Sequence, residues 1–139
     1  MARQAIHTDF APSRPSYSQA VVAGNLVFVS GTVGMDMETG TWPAGIEAQG
    51  AAALKNLAAV LAAAGCTLDD VVKTTMFITD PEHATRIADI YARAFPAPPP
   101  ARSAPVVSGF PVPEALISIE AIAVRPALTS QRLRTRSSS

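Results

Sequence analysis

The sequence predicts a one-domain α+β protein in which a mixed sheet of five or six strands carries two helices on one face. Its 139 residues are 48% hydrophobic and 16% charged, enough apolar material for a single core. Short alternating or β-branched runs lie near both ends of the chain and once in its middle, separated by two stretches of helical period. Two helices can cover only one face of such a sheet. Yet Leu26/Phe28 and Val27/Val29, like Leu116/Ile122/Val124 and Ile117/Ile119, put apolar groups on both faces. An open apolar face of that size calls for a second copy to cover it, so a homo-oligomer is expected.

The elements follow in order. Strands are expected near Gln4–His7, Gln19–Val22 and Asn25–Ser30, the last two joined by a tight turn at Ala23-Gly24. Gly34, Gly40, Pro43 and Gly45 break the segment from Thr32 to Gly45, which reads as a loop with at most a short edge strand at Met35 and Met37. From Ile46 to Ala64, Leu54, Leu57, Ala58 and Leu61 recur at helical spacing, while Glu47, Gln49, Lys55 and Asn56 mostly fall elsewhere on the wheel; Gly65 closes the helix. Asp70–Thr79 alternates and is β-branched, as a strand should be. A second helix carries the stripe Ile87, Ile90, Tyr91 and Ala94. Phe95–Pro100 is too proline-rich to continue it and reads as an extended linker into an edge strand or bulge near Pro105. Leu116–Val124 is the last strand, ended by Pro126. Residues 1–126 are expected to form the domain and residues 127–139 a disordered Arg/Ser-rich tail.

Composition excludes several classes. One cysteine, Cys66, cannot form an intrachain disulfide, and neither His7 nor His83 stands at a metal-ligand spacing, so no metal site is expected. Nothing near the N-terminus resembles a signal peptide, and no apolar run is long enough for a membrane span; a soluble, cytoplasmic protein is expected. The 11 basic and 11 acidic residues balance, but Arg132, Arg134 and Arg136 stand in the tail without an acid, leaving the remainder mildly acidic. The glycines form neither a dinucleotide fingerprint nor a P-loop, and the tail arginines lack interleaved aromatics, so nucleotide and nucleic-acid binding have little support.

Glu120 is the sharpest candidate for chemistry. By strand period it shares a face with Leu116, Ile122 and Val124, where a carboxylate is costly unless paired. It reads either as a general acid/base whose pKa is raised by desolvation or as a structural ion pair or solvated edge residue. Arg102 follows a stiff Pro98-Pro-Pro-Ala segment that would deliver its guanidinium to a defined place, where its planar donors suit a substrate carboxylate; the alternative is a solvated surface residue. Tyr17, just before a strand, either caps a pocket or packs. Ser30-Gly31 at a strand end either admits a ligand close to the backbone or makes a tight turn. Cys66, with no histidine beside it in sequence, is not expected to be a nucleophile.

Taken together, Tyr17-Ser-Gln-Ala, Leu26-Val-Phe-Val-Ser-Gly, Ala53-Leu-Lys-Asn-Leu, Asp70-Val-Val-Lys-Thr-Thr-Met-Phe-Ile-Thr-Asp, Pro100-Ala-Arg-Ser and Ile119-Glu-Ala-Ile-Ala-Val resemble the RidA (YjgF) family of imine deaminases. The resemblance runs from about Ala5 to Pro126. It implies a chorismate-mutase-like fold assembled as a homotrimer with active sites in the clefts between subunits. It also implies cofactor-independent hydrolysis of reactive enamine and imine acids, such as 2-aminoacrylate or 2-iminobutanoate, to 2-keto acids and ammonia. Carried over by position, Arg102 would bind the substrate carboxylate and Glu120 would position and activate water. Tyr17, Ser30, Gly31 and Ser103 would contribute pocket wall and polar contacts.

The chain departs from the family pattern at Ser16, Ala88 and Ala104, and in a longer segment between Pro105 and Leu116 that sets Ser108-Gly-Phe-Pro-Val-Pro at or near the pocket rim. Those departures fit a divergent subgroup with its own substrate. Two other functions are compatible with the sequence: a non-catalytic trimer that holds a carboxylate ligand through Arg102, and, with only the tail arginines to support it, an endoribonuclease.

Overall fold

The computed structural model describes residues 2–126; the tail expected to be disordered, residues 127–139, lies outside them. Six strands form one sheet: β1 (Arg3–Ile6), β2 (Ala20–Ala23), β3 (Leu26–Val33), β4 (Val71–Ile78), β5 (Ala101–Ser103) and β6 (Ile117–Val124). Their spatial order is β1-β2-β3-β6-β4-β5, antiparallel throughout except for the parallel pair β4–β5. The helices are α1 (Ile46–Ala63), α2 (Glu82–Arg86) and α3 (Ala88–Ala94).

The β2–β3 hairpin pairs Ala23 with Leu26, so its turn is Gly24-Asn25, one residue beyond the predicted position. Gly24 has φ 63°, a conformation that glycine supplies without steric cost at the first turn position. No strand forms at Met35 and Met37. Helix α1 ends as predicted: Gly65 takes φ 78°, and Cys66 N–H donates to the Leu61 carbonyl at 2.8 Å while Gly65 N–H donates to Ala62 at 3.0 Å, closing off the last turn's orphan carbonyls.

The single second helix of the prediction is two. Ile87 leaves the helical region (φ −102°, ψ 6°) between α2 and α3. Its buried side chain lies against Gly50 of α1, where even a Cβ would come within 3.1 Å of Ile87 Cγ2. Gly50 thus lets α1 receive Ile87 closely, and tertiary packing outweighs helical continuity there.

Val27, Val29, Met76, Ile78, Ile117 and Ile119 are buried on one sheet face with Leu57 and Leu61 of α1. The other face is open in the single chain, where Phe28 is 43% and Val72 47% exposed. Two polar side chains counted on the outer part of the α1 wheel are in fact buried. Gln49 Nε2 donates to the carbonyls of Pro43 (3.2 Å) and Glu114 (2.8 Å), and its Oε1 accepts from Leu116 N–H at 2.8 Å. Asn56 Nδ2 donates to the carbonyls of Val33 and Met35, both at 2.9 Å. These bonds satisfy loop backbone that would otherwise be buried unpaired. Among the described residues no helix is long and apolar enough to cross a membrane.

Candidate active site

Strand register gathers most of the candidate residues into one row. Ser103 of β5 pairs with Thr75 of β4, and Thr75 pairs with Glu120 of β6. Across the next strand boundary, Val29 pairs with Ala121 and Thr32 with Ile119, so Ser30 and Gly31 form an irregularity opposite Glu120. An extra residue at such a point re-aims the side chains around it. Ser30 is committed to structure: its Oγ donates to the Ser18 carbonyl at 2.6 Å and its N–H to the Gln19 carbonyl at 2.9 Å. Those bonds tie β3 to the segment that carries Tyr17. Gln19 stiffens the same segment, its Nε2 lying 3.0 to 3.1 Å from the carbonyls of Thr8, Ala11 and Pro12.

Glu120 lies on the open face in a recess of about 230 Å³ with Phe28, Lys73 and Thr75. Among the described residues it forms no hydrogen bond or ion pair. The sequence placed it among apolar groups, and Ile122 does share its recess, but the carboxylate is exposed in the single chain because nothing covers that face. Lys73 reaches toward the β5 edge, its Nζ donating to Ser103 Oγ at 3.4 Å.

Arg102 occupies a different place. It pairs in register with Thr74, a residue buried on the helix side, and its guanidinium carbon lies 4.9 Å from the centroid of the Tyr91 ring. With Tyr91, Phe95 and Pro100 it lines a cleft of about 580 Å³ at the sheet edge. Among the described residues its charge has no carboxylate partner. Arg102 and Glu120 therefore belong to opposite sides of one chain's sheet, since neighbouring β4 residues, Thr74 and Thr75, are their register partners.

Tyr17 and Gly31 line a third cavity, of about 650 Å³, together with Ser118, Trp42 and Phe110. A Cβ on Gly31 would fall 2.6 Å from Ser118 Oγ, so the missing side chain is what leaves room beside that hydroxyl. Residue-by-residue reading singled out neither Ser118 nor Trp42. Ser118 stands one strand period before Glu120, a signal that was available; Trp42 stands in a glycine- and proline-broken loop with no periodicity to place it. Cys66 is buried, and burial, with the nearby Asp70 charge adding to it, pushes its thiol up from the ordinary value, as suits an inert core cysteine. Among the described residues no three His, Cys, Asp or Glu side chains cluster as a metal site would require.

A helix-backed mixed sheet, with an arginine at its edge and a carboxylate on its open face, defines an α+β protein. The chain belongs to the endoribonuclease L-PSP family, whose profile matches residues 8–125, and this is the family that the RidA-like motifs indicated. It is 40% identical over 133 residues to the 2-iminobutanoate/2-iminopropanoate deaminase of Rattus norvegicus, covering 94% of this chain and 96% of that one. Among solved structures it is similar to RidA from the Antarctic bacterium Psychrobacter (TM-score 0.82, 37% identity, 87% of this chain and 98% of that one). It is also similar to E. coli TdcF, whose structure holds bound serine (TM-score 0.79, 34% identity, 88% and 99%).

Proposed function

We propose that this protein is an imine deaminase: a cofactor-independent hydrolase that converts reactive 2-imino and enamine acids of the 2-aminoacrylate or 2-iminobutanoate type to 2-keto acids and ammonia. The observation that carries this reading is the 40% identity, across nearly both full lengths, to a relative named for that reaction.

The chemistry asks little of a protein. An enamine acid first tautomerises to the imine. Water adds to the C=N carbon, a proton passes to nitrogen, and the tetrahedral carbinolamine collapses to the keto acid as ammonia leaves. Arg102 holds the substrate carboxylate through its planar donors. Glu120 takes the proton from the attacking water and returns one to the departing nitrogen. Tyr17, Ser30, Gly31 and Ser103 supply walls and backbone polar groups around the reacting carbon.

Because Arg102 and Glu120 lie on opposite sides of one sheet, this pair acts together only where copies meet, the arginine coming from one and the carboxylate from another. The open face around Phe28 and Glu120 supports a homotrimer of chorismate-mutase-like subunits with sites between them, in which covering that face also shields Glu120 from bulk solvent while leaving room for the attacking water. The domain is residues 1–126, working in the cytoplasm.

The test generates 2-aminoacrylate in situ with a pyridoxal-phosphate dehydratase and follows keto-acid release. Wild type should accelerate release over the spontaneous rate, and Arg102→Ala and Glu120→Ala should each lose at least about 100-fold, within the usual range for one positioned acid or base. No acceleration by folded wild type would sink the reading.

A further inference from the structure

In the single chain the groove beside Tyr17 and Gly31 has a volume of about 650 Å³, more than a three- or four-carbon acid fills and within the range of about 300–1,000 Å³ typical of sites for drug-sized molecules. Its lining is largely apolar, with Trp42, Phe110, Val112, Val33 and Met35, while Ser13, Arg14, Ser16, Tyr17 and Ser118 add polar groups. These walls come from three loops and two strands, β3 and β6, and α1 holds part of them. Gln49 binds the backbone next to Trp42 through the Pro43 carbonyl, and the backbone after Phe110 through Glu114 and Leu116. Asn56 fixes the Val33 and Met35 carbonyls. Both amides are nearly fully buried, so the cavity is formed before any ligand arrives, and a ligand does not have to order it.

We infer that this cavity is the side-chain subsite of the proposed deaminase and that the enzyme favours 2-imino acids with large apolar side chains, of leucine size or above, gripped between Trp42 and Phe110. The inference rests on the deaminase reading for its chemistry and on the cavity for its selectivity. Small imino acids place no carbon against either ring. Each added methylene of a larger one is transferred from water to an apolar wall, and discrimination on the order of 10- to 100-fold follows for three such carbons.

Two measurements on the full chain separate the inference from its premise. Trp42 is the one tryptophan in the sequence, so intrinsic fluorescence reports on this cavity directly. Titration with 4-methyl-2-oxopentanoate and with pyruvate should give at least about tenfold tighter binding of the larger keto acid. In parallel, imines generated in situ from leucine and from alanine by an L-amino-acid oxidase should be hydrolysed with a leucine-to-alanine kcat/KM ratio of about ten or more. Phe110→Ala should bring that ratio to about two or below, and Val112→Trp, which fills the cavity while leaving the loop's own bonds in place, should do the same. Equal or tighter binding of pyruvate, or a ratio unmoved by both variants, overturns the inference. If no imine is accelerated, the deaminase reading falls, and the fluorescence preference alone decides whether the cavity selects large apolar carboxylates.

Discussion

The Arg102 guanidinium rests 4.9 Å from the centroid of the Tyr91 ring, and the Tyr91 hydroxyl lies 2.7 Å from Thr74 Oγ1 at a buried position of β4. A core threonine thus orients an aromatic ring, and the ring's face orients the charge. Arg102 is held at the sheet edge by a neutral partner, and among the described residues its donors stay open to the substrate carboxylate that the proposed function assigns to it.

Removing the ring face should loosen that arrangement. Tyr91→Leu is expected to raise KM two- to fivefold, the equivalent of about 0.5–1 kcal/mol for an exposed cation–π contact, with kcat little changed. Tyr91→Phe keeps the face and leaves Thr74 without its partner; its cost should appear as about 1–2 kcal/mol of stability in urea unfolding, with KM unmoved. Steady-state kinetics on both variants checks the split.

Phe28 stands on the open sheet face, 43% exposed in the single chain. Phe28→Lys should leave the fold intact, because the side chain is outside the core, and should disrupt assembly by placing a cation in each copy's interface. Sedimentation velocity should find the wild type larger than a monomer and the variant monomeric, with deaminase activity lost together with assembly. A variant that sediments like wild type would mean that this face is not where copies meet.

Gln49 connects the Trp42 loop to the segment between Phe110 and Leu116. Gln49→Leu removes the amide and leaves the Glu114 carbonyl and the Leu116 N–H without their partner; the expected loss is about 2–4 kcal/mol in urea unfolding. Trp42 emission should shift to the red in the folded variant as its loop loosens. A loss below about 0.5 kcal/mol would put the amide among ordinary surface polar groups.

Burial raises the Cys66 thiol above its ordinary 9.0, with Asp70 adding to the effect and Arg125 opposing it. The sign follows from linkage: below the unfolded thiol's range both states keep the proton and stability is unaffected. As pH rises past 9, the unfolded chain loses the proton more readily, so stability falls. Cys66 should resist a thiol-reactive disulfide reagent at pH 8 while folded and react stoichiometrically once denatured. Cys66→Ser should make the decline of stability above pH 9 shallower.

Local pattern carried most of the secondary structure. The stripe of Leu54, Leu57 and Leu61 with Gly65 after it, and the alternation of Val71–Ile78 and Ile117–Val124, depend on contacts a few residues apart, and the strands and α1 formed within a residue or two of where they were expected, except that β3 runs three residues past Ser30 to Val33, into the segment expected as a loop. The break at Ile87 was not legible, because its cause is Gly50 of α1, distant in sequence. The burial of Gln49 and Asn56 was illegible for the same reason: their partners, Glu114, Val33 and Met35, lie on other elements.

The sequence by itself determined the class of the fold, the family and the two charged residues worth testing, since each depends on residue type and short-range order. Tertiary structure decided which of those residues meet. Strand order β3-β6-β4-β5 and the irregularity at Ser30-Gly31 put Glu120 beside Thr75 and across from Gly31. They put Arg102 on the other side of the sheet and set Ser118 in the cavity with Tyr17 and Trp42. A pleated strand turns successive side chains to opposite faces, so a shift of one residue in register exchanges the two sides, and that register is settled only by pairing between segments far apart in the chain.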